Sequence, residues 1–204
     1  MNHFRCLVRI RAAAAAGLAL LLAACSLASL RPPPLKMYDF GVAPGDAATV
    51  HSRLVIAVPE MLVPSALEST AIGYRLAYNS SNQPRTYGDS QWTMPPGELL
   101  SQRIRARFAA QYVVASLAQT RHDVTLSLQL EEFSQIFDAA DRSHAQLRLR
   151  ATLLKNDGTV LAQTTLNEER PAASPDAAGG VGALVQVSDA AADALLLWVR
   201  DNLS

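Results

Sequence analysis

The chain has 204 residues, with 18 basic and 18 acidic side chains, so its formal net charge is zero. That balance leaves no basic footprint for nucleic acid and no polybasic patch for anionic lipid. Two cysteines, Cys6 and Cys25, cannot build a disulfide framework, and the length suits one ordinary core rather than two.

Arg5, Arg9 and Arg11 precede an uncharged run from Ala12 to Ala24. A positive segment, a short apolar segment and small residues at its end make a secretory signal peptide over residues 1–24. The run is shorter than the roughly 20 apolar residues of a membrane-spanning helix. It ends in Leu22-Ala23-Ala24-Cys25, which resembles the lipobox of bacterial lipoproteins at each position. The resemblance implies a thioether-linked diacylglycerol on Cys25, cleavage before it, and a palmitate-type acyl chain on the new amino terminus. One chain binds a bilayer marginally and two or three hold firmly, at about 0.8 kcal/mol per buried methylene. Ser26 in place of Asp implies, by likeness to lipoprotein sorting, an outer-membrane anchor facing the periplasm. Removing three arginines leaves 15 basic against 18 acidic residues, a mature charge of −3. Cys6 leaves with the signal and Cys25 is blocked, so free-thiol catalysis is excluded.

Residues 25–36 hold Pro32-Pro33-Pro34 and read as an extended tether, and residues 37–204 as a single domain. MYDFGVAP reads as a first strand and GDAATVHS as a loop. LVIAV (54–58), closed by Pro59, reads as a strand buried on both faces. Residues 60–69 read as loop. Strands over 71–78 and 85–92 are joined by the turn-rich NSSNQP. Pro95-Pro96 opens a helix with Leu100, Ile104 and Phe108 on its apolar face and Arg103, Arg105 and Arg107 largely outside.

Strict alternation then marks two half-buried strands, Val124–Glu131 and Ala145–Leu153, with Glu131 able to face Arg148 or Arg150. Asn156-Asp157-Gly158 is a tight turn before a third strand from Thr159 to about Asn167. ERPAASPDAAGG reads as a linker, and 181–202 as a helix with Leu184, Val187, Ala191, Leu195 and Trp198 on one stripe. The predicted class is α+β, a largely antiparallel sheet with two main helices packed on one face.

No nucleophile elbow, zinc-protease motif or phosphate loop occurs, so no catalytic residue is assigned and the protein reads as a non-enzyme. Asp138, Asp141 and His144 are the one metal-like spacing. Asp in a turn serves its own hydrogen bonds, so no metal is expected, and no cofactor beyond the acyl chains. His122-Asp123 reads as a solvated strand end. Tyr74, Arg75 and Trp92 are candidate partner contacts, because Tyr, Arg and Trp are enriched at binding hot spots; packing of the two aromatics in the hairpin is the competing reading.

The lipobox, the tether, YDFG, the strand-proline segment with LVIAVPEMLVPSALESTAIGYRL, Trp92 before a proline-opened helix, and the meander occur in one order. Together they resemble the ABC-type transport auxiliary lipoproteins, the paraquat-inducible protein C-like group. Gly73 departs from the β-branched residue more usual before the tyrosine, and residues 60–70 are longer than usual. The resemblance implies a partner of an MCE-domain (mammalian cell entry) protein with its inner-membrane permease and ATPase, moving phospholipid or other hydrophobic substrate across the envelope. It also implies a ring-shaped homo-oligomer. A structural envelope lipoprotein that braces an assembly or binds cell-wall polymer is the alternative, and a periplasmic hydrolase a third class.

Overall fold

The computed structural model describes residues 34–42, 53–115 and 121–203. The signal peptide, lipobox, Cys25, most of the tether and the 45–52 loop lie outside the described residues. Residues 35–204 cluster as one unit.

The strands are β1 (Lys36–Tyr38), β2 (Val55–Ala57), β3 (Ala71–Leu76), β4 (Ser80–Trp92), β5 (Val113–Ala115), β6 (Val124–Ala139), β7 (Arg142–Lys155) and β8 (Val160–Pro171). The helices are α1 (Pro96–Ala109) and α2 (Ala177–Asn202). The fold is α+β. β6 is the spine: β7 pairs antiparallel along one edge, while β2 and β3 pair parallel with successive halves of the other. The long ladders β6·β7 and β7·β8 are antiparallel as expected, and the short parallel pairings make the whole sheet mixed.

Leu126, Leu128, Leu130, Leu147, Leu149, Ala151 and Leu153 fill the buried face. The alternation of β6 breaks at a bulge between Leu130 and Glu132, so the next core residue is odd-numbered Phe133. Glu131, at the bulge, pairs with both arginines, 2.9 Å from Arg148 and 2.6 Å from Arg150.

Helices α1 and α2 pack together over this face, bringing Leu100, Ile104, Phe108, Leu184, Val187, Ala191 and Leu195 into the same core. Each of these side chains larger than alanine contributes about 1.5–3 kcal/mol on burial. α2 has the length and apolar composition of a membrane span, but its apolar stripe is spent on the sheet. Leu197 stays half exposed and Trp198 partly so.

Several boundaries differ from expectation. NSSNQP is not a loop: the turn is the three residues between Leu76 and Ser80, and β4 runs through Pro84. A 3-10 turn at Ser65–Leu67 and a parallel bridge from Leu62 to Gln129 order the 60–69 segment. β5 escaped reading because three residues carry no measurable period. β8 extends to Pro171, and α2 begins four residues before Val181. Its start is set by Asp176, whose carboxylate accepts from the Gly179 N–H at 2.8 Å. Gly180 sits inside the helix because a Cβ there would collide with the buried Gln135 amide.

Arg103 is the main correction on α1. It is 5% exposed rather than outside, 3.5 Å from Asp189 of α2 and bonded to the Phe40 carbonyl. Arg105 donates to the Val58 carbonyl at 3.0 Å and Arg107 to Asp193 at 2.8 Å. The predicted solvated arginine face is thus a set of ties between α1, α2 and the neighbouring chain.

A candidate docking groove beside the hairpin

β3 fits between β4 and the second half of β6, so its side chains meet both neighbours. Tyr74 lies against Tyr87 (centroids 4.8 Å apart) and edge-on to Phe137 (5.7 Å). The Tyr87 hydroxyl donates to Gln135 Oε1 at 2.8 Å, and Gln135 Nε2 donates to Ser143 Oγ at 2.8 Å. Burial first, and the neighbouring Tyr74 second, push the Tyr87 phenol well above its ordinary pKa. It therefore stays protonated and serves as a donor. This polar chain fixes the aromatic pair in place.

Arg75 sits 3.4 Å from Glu132 and donates to the Ser81 carbonyl at 3.3 Å. About a third of its side chain remains exposed. Glu132 also accepts from Ser134 Oγ at 2.7 Å. Arg85 Nη2 donates to Gln83, while its Nε is buried without a hydrogen-bond partner. Tyr74, Arg75, Arg85, Leu67, Glu132 and Phe133 line an open groove of about 320 Å³.

Gly73 belongs to the same lining. A Cβ there would meet Ser134 Cβ at an ordinary 3.8 Å, so the backbone does not require glycine. Its missing side chain widens the groove instead.

The three predicted contact residues part company. Arg75 faces the groove with Glu132, and the adjacent Tyr74 turns its ring to the other face of the strand, against Tyr87 and Phe137. Trp92 is 1% exposed and packs against Phe40 (5.5 Å) and Phe133 (6.0 Å); it is core and offers no surface. Glu132, Arg85 and Tyr87 were not singled out from sequence, because the bulge that turns Glu132 toward Arg75 has no local signature.

Asp138 and His144 lie 3.0 Å apart across the β6–β7 turn. No group of three His, Cys, Asp or Glu side chains converges on a metal position among the described residues. A second groove of about 360 Å³ beside the start of α1 is lined by Glu60, Glu68, Glu98 and Arg105. The groove at β3 can therefore offer a guanidinium and a carboxylate, Arg75 held by Glu132, which is recognition chemistry.

A family model described as the ABC-type transport auxiliary lipoprotein component matches residues 38–195. The fold is similar to a solved structure of a Xanthomonas campestris protein, with 21% identity and a TM-score of 0.69, covering 82% of this chain and 96% of that one. A second solved structure, of an uncharacterized protein, is 16% identical with a TM-score of 0.67, covering 81% of this chain and 99% of that one. These likenesses establish the fold alone. No curated protein matches the chain.

Proposed function

Because the chain belongs to the ABC-type transport auxiliary lipoprotein family, we propose that it is a lipid-anchored, non-enzymatic accessory of an MCE-type transporter, which moves phospholipid or another hydrophobic substrate across the envelope. Cys25 carries the diacylglycerol and the N-acyl chain, holding the domain at the outer membrane on its periplasmic side. The chain docks to the MCE-domain protein, whose permease and ATPase supply the energy.

The observation that carries the docking role is Arg75 at the groove, a partly exposed guanidinium already oriented by Glu132. The adjacent Tyr74 turns its ring to the other face of the strand, where it packs against Tyr87 and Phe137 and holds β3 in place. A guanidinium already held loses little conformational entropy on binding, which suits it to anchor a contact. Trp92 supports the surface from within and takes no part in contact.

In-cell cross-linking through a carboxyl-terminal tag, followed by mass spectrometry of the membrane fraction, tests the role. Recovery of an MCE protein with its permease is the expected result. Recovery of cell-wall or assembly proteins without them overturns it.

A further inference from the structure

We propose that the groove beside the start of α1 takes a lysine side chain of the protein that docks at β3. This rests on the docking reading above and names the charge that the partner must carry.

The groove lies between α1 and the 58–68 segment, and two contacts close its ends. A Cβ at Gly97 would fall 2.5 Å from Val63 Cγ1, so helix and segment touch there. Arg105, about two turns further on, donates from Nε to the Val58 carbonyl at 3.0 Å. Residues four apart share a helix face, and the helix climbs about 12 Å from 97 to 105. Ser101 therefore stands midway between the two closures, where it lines the groove.

The Ser101 hydroxyl lacks a partner. Ser101 is 3% exposed, yet its side chain makes no hydrogen bond to any other described residue. Ser188, also buried in a helix, returns its hydroxyl to the Leu184 carbonyl at 2.8 Å, the ordinary arrangement for a helical serine. A buried hydroxyl with no partner is costly, and this one sits on an open groove.

The rims supply the charge. Glu60 and Glu68 on the segment and Glu98 on the helix are exposed, and none forms an ion pair or side-chain hydrogen bond with another described residue. Glu131 and Glu132, by contrast, each face an arginine. The three groove carboxylates do not converge as a metal site requires, so the groove suits a cation on a long stem. A lysine ammonium has three donors, one for a carboxylate on each rim and one for the Ser101 oxygen. Its methylenes run over Met61, Val63 and Pro95.

Position fixes the partner. The turn at Ser65–Leu67 is a wall shared by two grooves: Ala66 and Leu67 line the one at β3, Val63 and Glu68 this one. A protein seated beside Arg75 reaches the glutamates across a single turn of chain.

A carbodiimide, which joins a carboxylate to an amine in contact with it, tests the assignment on the full-length lipoprotein in its own membranes, with the linked peptides read by mass spectrometry. The expected result is Glu60, Glu68 or Glu98 joined to a lysine of the same protein that a photo-cross-linking group at position 86 captures. Glu60→Lys with Glu68→Lys is expected to cut that capture at least fivefold at an unchanged melting temperature. A link to Lys36 or Lys155 of this chain, to an amine-bearing lipid, or to a protein that position 86 does not capture overturns the proposal. So does capture indifferent to the charge reversal. Capture from position 86 with no link in the groove overturns it and leaves docking at β3 standing, whereas neither capture nor link sinks both.

Discussion

The guanidinium of Arg103 on α1 stands 3.5 Å from the carboxylate of Asp189 on α2 and is bonded to the Phe40 carbonyl beyond the end of β1. One buried cation thus joins both helices to the segment that leads from β1. Arg103→Met keeps the stem and strands those partners. The expected loss is about 2–4 kcal/mol, measured by urea unfolding. Asp189→Asn is expected to cost less, because Asp189 is about 30% exposed and can turn to water. Equal losses would mean that the ion pair, rather than the carbonyl bond, holds the tie.

Trp92 and Arg75 separate folding from recognition. Trp92→Ala opens a cavity between Phe40 and Phe133 and is expected to cost about 3–5 kcal/mol. Arg75→Glu sets two carboxylates side by side at a partly exposed site, for about 1 kcal/mol. Partner capture should fall at least tenfold for Arg75→Glu with little change in melting temperature. Parallel losses of binding and melting temperature would return Arg75 to a structural role.

Asp176 caps α2, and its carboxyl is held below the usual carboxylate range by the Gly179 N–H first and the Ser174 hydroxyl second. A carboxylate depressed in the folded state adds stability above its unfolded pKa of about 3.9, and loses it as pH falls through the folded value. Asp176→Ala is expected to cost about 1 kcal/mol at neutral pH. The gap to the parent should close below about pH 4. Asp176→Asn keeps a cap and removes only the pH dependence, which thermal melts from pH 3 to 7 will show.

Cys25→Ala removes the thiol that would carry the diacylglycerol. Unprocessed precursor should accumulate, and labelled palmitate should no longer enter the chain. Label that persists would place the acyl group elsewhere.

Much of the fold was legible because alternation is a local signal. β6 and β7 read from Val124 to Leu153, and both helices from Leu100–Phe108 and Leu184–Leu195. What escaped depends on long-range contacts. β5 has three residues. Pro84 reads as a strand breaker until β4 is seen at a sheet edge. Gly179 and Gly180 read as linker until Ser174 is found against the first and Gln135 beneath the second. Arg103 carries the same letter as Arg105 and Arg107, and only the packing of α1 on Phe40 buries it. At the groove, Tyr74 and Arg75 stood out by residue type alone, whereas Glu132 owes its place to a bulge. Trp92 showed the limit of that signal, since a hot-spot residue type is also a core residue type.

Docking at the β3 groove is tested most directly in living cells by a photo-cross-linking amino acid at position 86, an exposed site in the groove lining, compared with the same group at position 197, the half-exposed leucine of α2. An adduct with the MCE-domain protein from position 86 and none from 197 is the expected result. No adduct from 86, or equal adducts from both, would sink the docking role of the groove.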